Sequence, residues 1–184
     1  MADTKEKLSA QTRFLHWFIA IGMIMLVAVG IYMAETKTFA LYPIHKSLGA
    51  IMLVFALWRL VVRLKNGFPQ PLGKQSAALE VLAKLVHWVL LLTTILFPFS
   101  GIMMSVMGGN GLQIFGLELI ANNPNPDPSI GRNVPLNKEM AGFAHGVHTS
   151  LPVLFFIALA LHIAGAIKHA VVDKDGTMRR MMGK

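Results

Sequence analysis

Residues 142–167 read GFAHGVHTSLPVLFFIALALHIAGAI, and they hold His148 and His162 fourteen residues apart. At ~100° per residue, fourteen steps return a helix to within ~40° of its start; at ~1.5 Å per residue they separate the two rings by about 21 Å. Both imidazoles therefore fall on one face of one helix, one near each side of a hydrocarbon core roughly 30 Å thick. Two further histidines, His16 and His45, open two earlier apolar stretches. The pattern predicts a frame that pairs four rings into two sites stacked across a membrane.

Composition supports a membrane frame. Hydrophobic residues make up 54% of the 184-residue chain and charged residues only 14%, with a mean hydropathy of +0.57. A soluble domain needs more charge. There is no cysteine, which excludes disulfides, cysteine-bound iron–sulfur clusters and c-type haem attachment. The net charge of +8 would suit nucleic acid, but Lys and Arg cluster at the ends of apolar runs, so a membrane surface explains them better and no nucleic-acid partner is expected. The first 13 residues do not read as a cleavable signal peptide: the apolar run after them is too long for an h-region, and no A-x-A site follows.

Helices are expected at about 14–34, 44–64, 79–107 and 137–172, in one membrane domain over 1–184. The fold class is all-α, an integral membrane four-helix bundle with up-and-down connections. The first span carries one histidine and no charge, with Trp17 and Tyr32 near its ends, where amphipathic rings prefer the interface. Pro98 removes a backbone donor and is expected to kink the third helix. The 108–135 segment is the only sizeable stretch outside the spans. Its NNPNPDPS run excludes regular structure, and residues 112–120 just before it are expected to form a short amphipathic piece on the membrane surface. The fourth helix is longer than a bilayer needs and is expected to project into water.

Orientation follows from charge. Of the 17 Lys and Arg, only Lys37, Lys46, Arg132 and Lys138 fall on the side away from the N-terminus. The bias predicts both termini in the cytoplasm and the 108–135 loop outside. His45 then lies at the outer side with His148, and His16 at the inner side with His162.

An ionisable residue inside a membrane is costly and needs a reason. Two facing imidazoles at one depth make an axial pair for a haem iron; with both axial positions filled, the centre favours electron transfer over ligand chemistry. The expected iron ligands are His45 and His148 (outer) and His16 and His162 (inner). Small residues lie one turn from several of them: Ala20, Gly49, Gly165 and Ala166. Pro152, four after His148, removes the bond to the His148 carbonyl. His145, three before His148, is a rival ligand; the fourteen-residue spacing favours His148. His87 and His169 read either as carriers of protons near an inner quinone or as interfacial structural residues. Arg59 and Arg63 read either as partners of inner haem propionates or as ordinary positive-inside anchors. The 12 Met residues read mostly as packing, though Met is also an iron ligand.

With these residues in place, the chain resembles the prokaryotic cytochrome b561 family; the cytochrome b subunits of nickel–iron hydrogenases and formate dehydrogenases are similar. The resemblance covers nearly the whole chain. It is carried by RFLHW (13–17), IHKSLG (44–49), WRLVVRLK (58–65), the His148/His162 pair and KHAVVDKDGTMRRMMGK (168–184). It implies two haem b groups on the four histidines, a quinone site near the cytoplasmic haem, and residence in the bacterial inner membrane. It also implies transfer of electrons between quinone and a donor or acceptor at the outer face. One activity in the family is oxidation of superoxide with reduction of ubiquinone; for that, Lys46, Arg132 and Lys138 would attract the anion. The 108–135 loop departs from the shortest members. Rival readings are an electron-relay anchor for a partner dehydrogenase or periplasmic protein and, from another class, a proton or metal-ion transporter using intramembrane histidines. No broken-helix inverted repeat favours the last.

Overall fold

The computed structural model describes residues 3–73 and 75–184. Lys74, counted above among the inner cations, lies outside the described residues. Four long helices dominate: α1 (Ala10–Thr36), α2 (Tyr42–Asn66), α3 (Ala77–Met107) and α4 (Lys138–Ile167). All four are long and apolar enough to span a bilayer, and they form an all-α membrane bundle.

The starts of α1, α3 and α4 are set by side-chain caps that satisfy orphan backbone donors. Ser9 accepts from Thr12 N, Ser76 from Leu79 N and Asn137 from Met140 N. These caps place the starts of α1 and α3 ahead of the apolar run itself. The hydroxyls of Thr93, Thr94 and Ser100 are buried and bond back to carbonyls one turn earlier in α3, so they cost little in an apolar interior. Both Pro98 and Pro152 are carried inside their helices without ending them.

Every fourth residue of α1 from Leu15 to Val27 is buried. This stripe meets Met52 and Val62 of α2, Phe97 of α3, and Leu151 and Phe155 of α4. The opposite faces, such as Ile21, Met25, Val54, Leu85 and Ile157, stay exposed, as lipid-facing side chains must. Helix α4 packs along α3, whereas its backbone scarcely approaches α1 or α2. The histidine rings bridge that gap.

Residues 112–120, expected as a short amphipathic piece, take up regular secondary structure. They fold as an antiparallel hairpin, β1 (Leu112–Ile114) with β2 (Leu117–Ile120). The turn residues Phe115 and Gly116 both have positive φ, 48° and 88°, the two-residue geometry that matches strand twist. The hairpin is clamped to the start of α2: Phe115 N donates to Ser47 Oγ at 3.0 Å, and Lys46 Nζ donates to the Asn110 carbonyl at 3.2 Å.

At the other end of the bundle α4 runs into a π-helical turn, Lys168–Asp173, followed by α5 (Thr177–Met182). After Asp173 the chain folds back on itself. Buried Arg180 donates to the carbonyls of Lys5 (2.6 Å) and Gln70 (3.0 Å), and Trp17 Nε1 donates to the Met181 carbonyl at 3.2 Å. Both termini therefore lie at one end.

Candidate functional site

The four expected ligands meet in two pairs. At the end bearing the termini, the His16 and His162 ring centroids lie 6.1 Å apart with planes at 60°. At the loop end, His45 and His148 lie 6.3 Å apart at 87°. Imidazole nitrogen binds a first-row metal at about 2 Å. Two such bonds, with about 1 Å from each nitrogen to its ring centre, put the centroids about 6 Å apart. Both pairs fit one metal between them.

The surroundings support that fit. His148 Nδ1 lies 2.9 Å from the Phe97 carbonyl and 3.1 Å from Ser100 Oγ. A proton on Nδ1 given to the carbonyl leaves Nε2 as the free ligand atom, the arrangement that orients metal-binding histidines. His45 Nδ1 is buried without a hydrogen-bond partner among the described residues. Two glycines admit the rings: a Cβ at Gly30 would come within 3.3 Å of His45 Cε1, and one at Gly101 within 3.0 Å of His148 Cε1. His145 is exposed; it is His148 that faces His45.

The pair near the termini has a different shell. Arg59 Nη2 donates to His16 Nδ1 at 3.2 Å. Arginine only donates, so ligation of His16 through Nε2, which puts the proton on Nδ1, requires Arg59 to turn to another acceptor in the same layer. Arg63 is held differently. It donates to the Gly67 carbonyl at 2.8 Å and lies over the Phe68 ring at 5.4 Å. Phe68 stacks on His87 at 5.9 Å, and His87 lies 5.2 Å from His162. His87 thus joins this layer as a third imidazole.

His169 is drawn into the fold-back instead. Its Nδ1 lies 2.7 Å from Asp175 Oδ2, and the Gln75 amide lies 3.1 Å from its Nε2. Burial alone would raise the Asp175 carboxyl, but hydrogen bonds from Thr177 and His169 outweigh it and hold the group below its ordinary value. Among the outer cations, Lys46 is tied to the hairpin, while Arg132 and Lys138 are exposed.

The sequence reading missed the glycines that matter. A Cβ at Gly49 or Gly165 would meet nothing within 4 Å; the rings press on Gly30 and Gly101, across the bundle. The signal was present. Gly30 follows His16 by fourteen, Arg59 follows His45 by fourteen, and Gly101 follows His87 by fourteen, the same interval as in α4. One layer is thus His16, Arg59, His87 and His162; the other is Gly30, His45, Gly101 and His148.

A four-helix membrane bundle with a facing histidine pair near each end is the architecture of a membrane cytochrome of b type. Comparison with known proteins agrees: residues 7–184 match the family model described as prokaryotic cytochrome b561, and the chain belongs to that family. It is a multi-pass protein of the bacterial inner membrane. It is similar to "Cytochrome b561 homolog 2" of Escherichia coli (strain K12), 26% identical over 99% of this chain and 94% of the relative. "Probable superoxide oxidase CybB" of Yersinia pestis is 28% identical over 92% of each chain. "Cytochrome b561 homolog 1" of E. coli is 24% identical over 92% of this chain and 93% of the relative. The family assigns a b-type cytochrome role in electron transfer, with haem b as cofactor.

Proposed function

We propose that the chain holds two haem b groups and passes electrons across the inner membrane, with quinone as one terminus. His45 and His148 hold the outer group and His16 and His162 the inner one. The observation that carries this reading is the pair of ring separations, 6.1 and 6.3 Å, in two layers of one bundle. Both termini are in the cytoplasm on this reading, as the positive-inside bias requires.

The four histidines would hold haem in these layers, and haem would supply reversible one-electron chemistry there. The protein supplies position, potential and protons. Arg59, freed from His16, is placed to pair with an acidic group of the inner cofactor; Arg63 fixes Phe68 and, through it, the plane of His87. His87 is the group placed to pass a proton to quinone, because it adjoins His162. Reduction of quinone takes two electrons and two protons. The outer donor that suits the cations Lys46, Arg132 and Lys138 is a small anion. Superoxide fits: each gives one electron and leaves as dioxygen, so two are consumed per ubiquinone. The likeness to a relative called a probable superoxide oxidase favours this donor over a partner protein.

The test is the visible spectrum of the detergent-purified protein, oxidised and dithionite-reduced, with a pyridine haemochrome count. Two low-spin b-type haems per chain are expected, followed by superoxide-dependent reduction of ubiquinone without a partner. A folded, colourless protein expressed with haem available would sink the reading and leave ion transport ahead.

A further inference from the structure

The two layers are built from different material. Near the termini, α2 contributes a guanidinium: Arg59 Nη2 lies 3.2 Å from His16. In the other layer, α1 and α3 contribute glycine backbone against the rings, and His148 Nδ1 faces the Phe97 carbonyl at 2.9 Å. Lys46, next to His45 in sequence, donates to the Asn110 carbonyl and, among the described residues, to neither ring of the outer pair.

These differences act on a redox centre in opposite directions. A fixed positive charge in a poorly polarisable interior favours the form of the neighbouring metal that carries one positive charge fewer, which is the reduced form. This holds whether the guanidinium stays by His16 or turns to an acidic group in the same layer. A ligand imidazole that gives its proton to a carbonyl becomes more basic and favours the oxidised metal. The inner layer is thus biased towards holding the electron and the outer layer towards releasing it.

We propose that Arg59 and the Phe97 carbonyl set the direction of electron flow, outer layer to inner layer, by placing the inner centre at the higher potential. Arg59 is a positioning residue for charge and need not touch substrate. The step moves one electron. The outer centre is oxidised as the inner is reduced, and no bond forms or breaks. This inference rests on the two-haem reading above and deepens it.

The test is an optical potentiometric titration of the full-length, haem-loaded protein in detergent, after a haem count. Two one-electron waves are expected, separated by at least tenfold in electron occupancy, about 59 mV for a one-electron couple. Removing the outer centre with His45→Ala, or with His148→Ala should the first variant not fold, is expected to leave only the upper wave. Arg59→Gln is expected to lower the upper wave and leave the lower one in place; Arg59→Lys, which keeps the charge, is expected to restore most of the separation. Coincident waves, a surviving lower wave in the outer-ligand variant, or an Arg59→Gln titration identical to the parent would overturn the proposal while leaving two haems intact. A count of one haem per chain would overturn the two-centre reading itself, and the proposal with it.

Discussion

Gly30 of α1 backs His45 of α2 so closely that a single added carbon would stand 3.3 Å from the ring. Gly101 does the same for His148, at 3.0 Å. The loop-end pair is seated on bare backbone. Gly30→Val and Gly101→Val are therefore expected to eject the outer haem selectively. The haem count should fall from two to one, with the remaining spectrum that of the inner centre. A valine variant that keeps both haems would show that the rings can slide aside.

The rival outer ligands separate cleanly. His145→Ala is expected to keep two haems per chain, since its ring is exposed, whereas His148→Ala should keep one. The pyridine haemochrome count decides, and the reverse result would exchange the two roles.

His87→Ala is expected to keep both haems and to slow quinone reduction by about 10²-fold, in the range lost when a proton carrier is removed. Superoxide-driven reduction of the haems themselves should be unchanged in a stopped-flow trace. Equal losses in both steps would mean that His87 only supports the inner layer.

How much of this was legible from the sequence depends on periodicity. The apolar runs and the depths of His16, His45, His148 and His162 follow from a rise of about 1.5 Å per residue, and the bundle brings those rings together in two pairs. Helix starts were less legible, because Ser9 and Ser76 act through cap bonds outside the apolar run. The hairpin was left unassigned although Leu112, Ile114, Leu117 and Leu119 alternate with period two about Phe115–Gly116, because positive φ at both turn residues is a property of the folded chain. His169 was read either as a proton carrier or as an interfacial structural residue, and its contacts are those of the second. Its partners Gln75 and Asp175 reach it only because the C-terminal segment folds back, which no local pattern announces.

That fold-back should respond to acid. The folded Asp175 carboxyl is held below its ordinary value, so the ionised form stabilises the fold-back. This stabilisation is present above the ordinary carboxylate value of about 3.9 and is lost as pH falls through the lower folded value. Limited proteolysis of the C-terminal segment is expected to accelerate in that acid window, and Asp175→Asn should show the fast rate already at neutral pH. Arg180→Ala removes a charged donor from two carbonyls and is expected to cost about 3 kcal/mol, read as a lower melting midpoint.

Neutralising Lys46, Arg132 and Lys138 together is expected to slow superoxide oxidation by about tenfold at low salt and to flatten its salt dependence. An unchanged rate and slope would remove these residues from anion capture.

The fourteen-residue interval between His148 and His162 has an electrical meaning as well. Carried about 21 Å through a core roughly 30 Å thick, an electron crosses some two-thirds of the transmembrane field. At about 2.3 kcal/mol per charge per 100 mV for the full thickness, each inward transfer works against about 1.5 kcal/mol for every 100 mV of inside-negative voltage. On the proposed two-haem reading the protein is thereby a voltage-loaded conductor. Energised cells would throttle it, and depolarised ones would let it run.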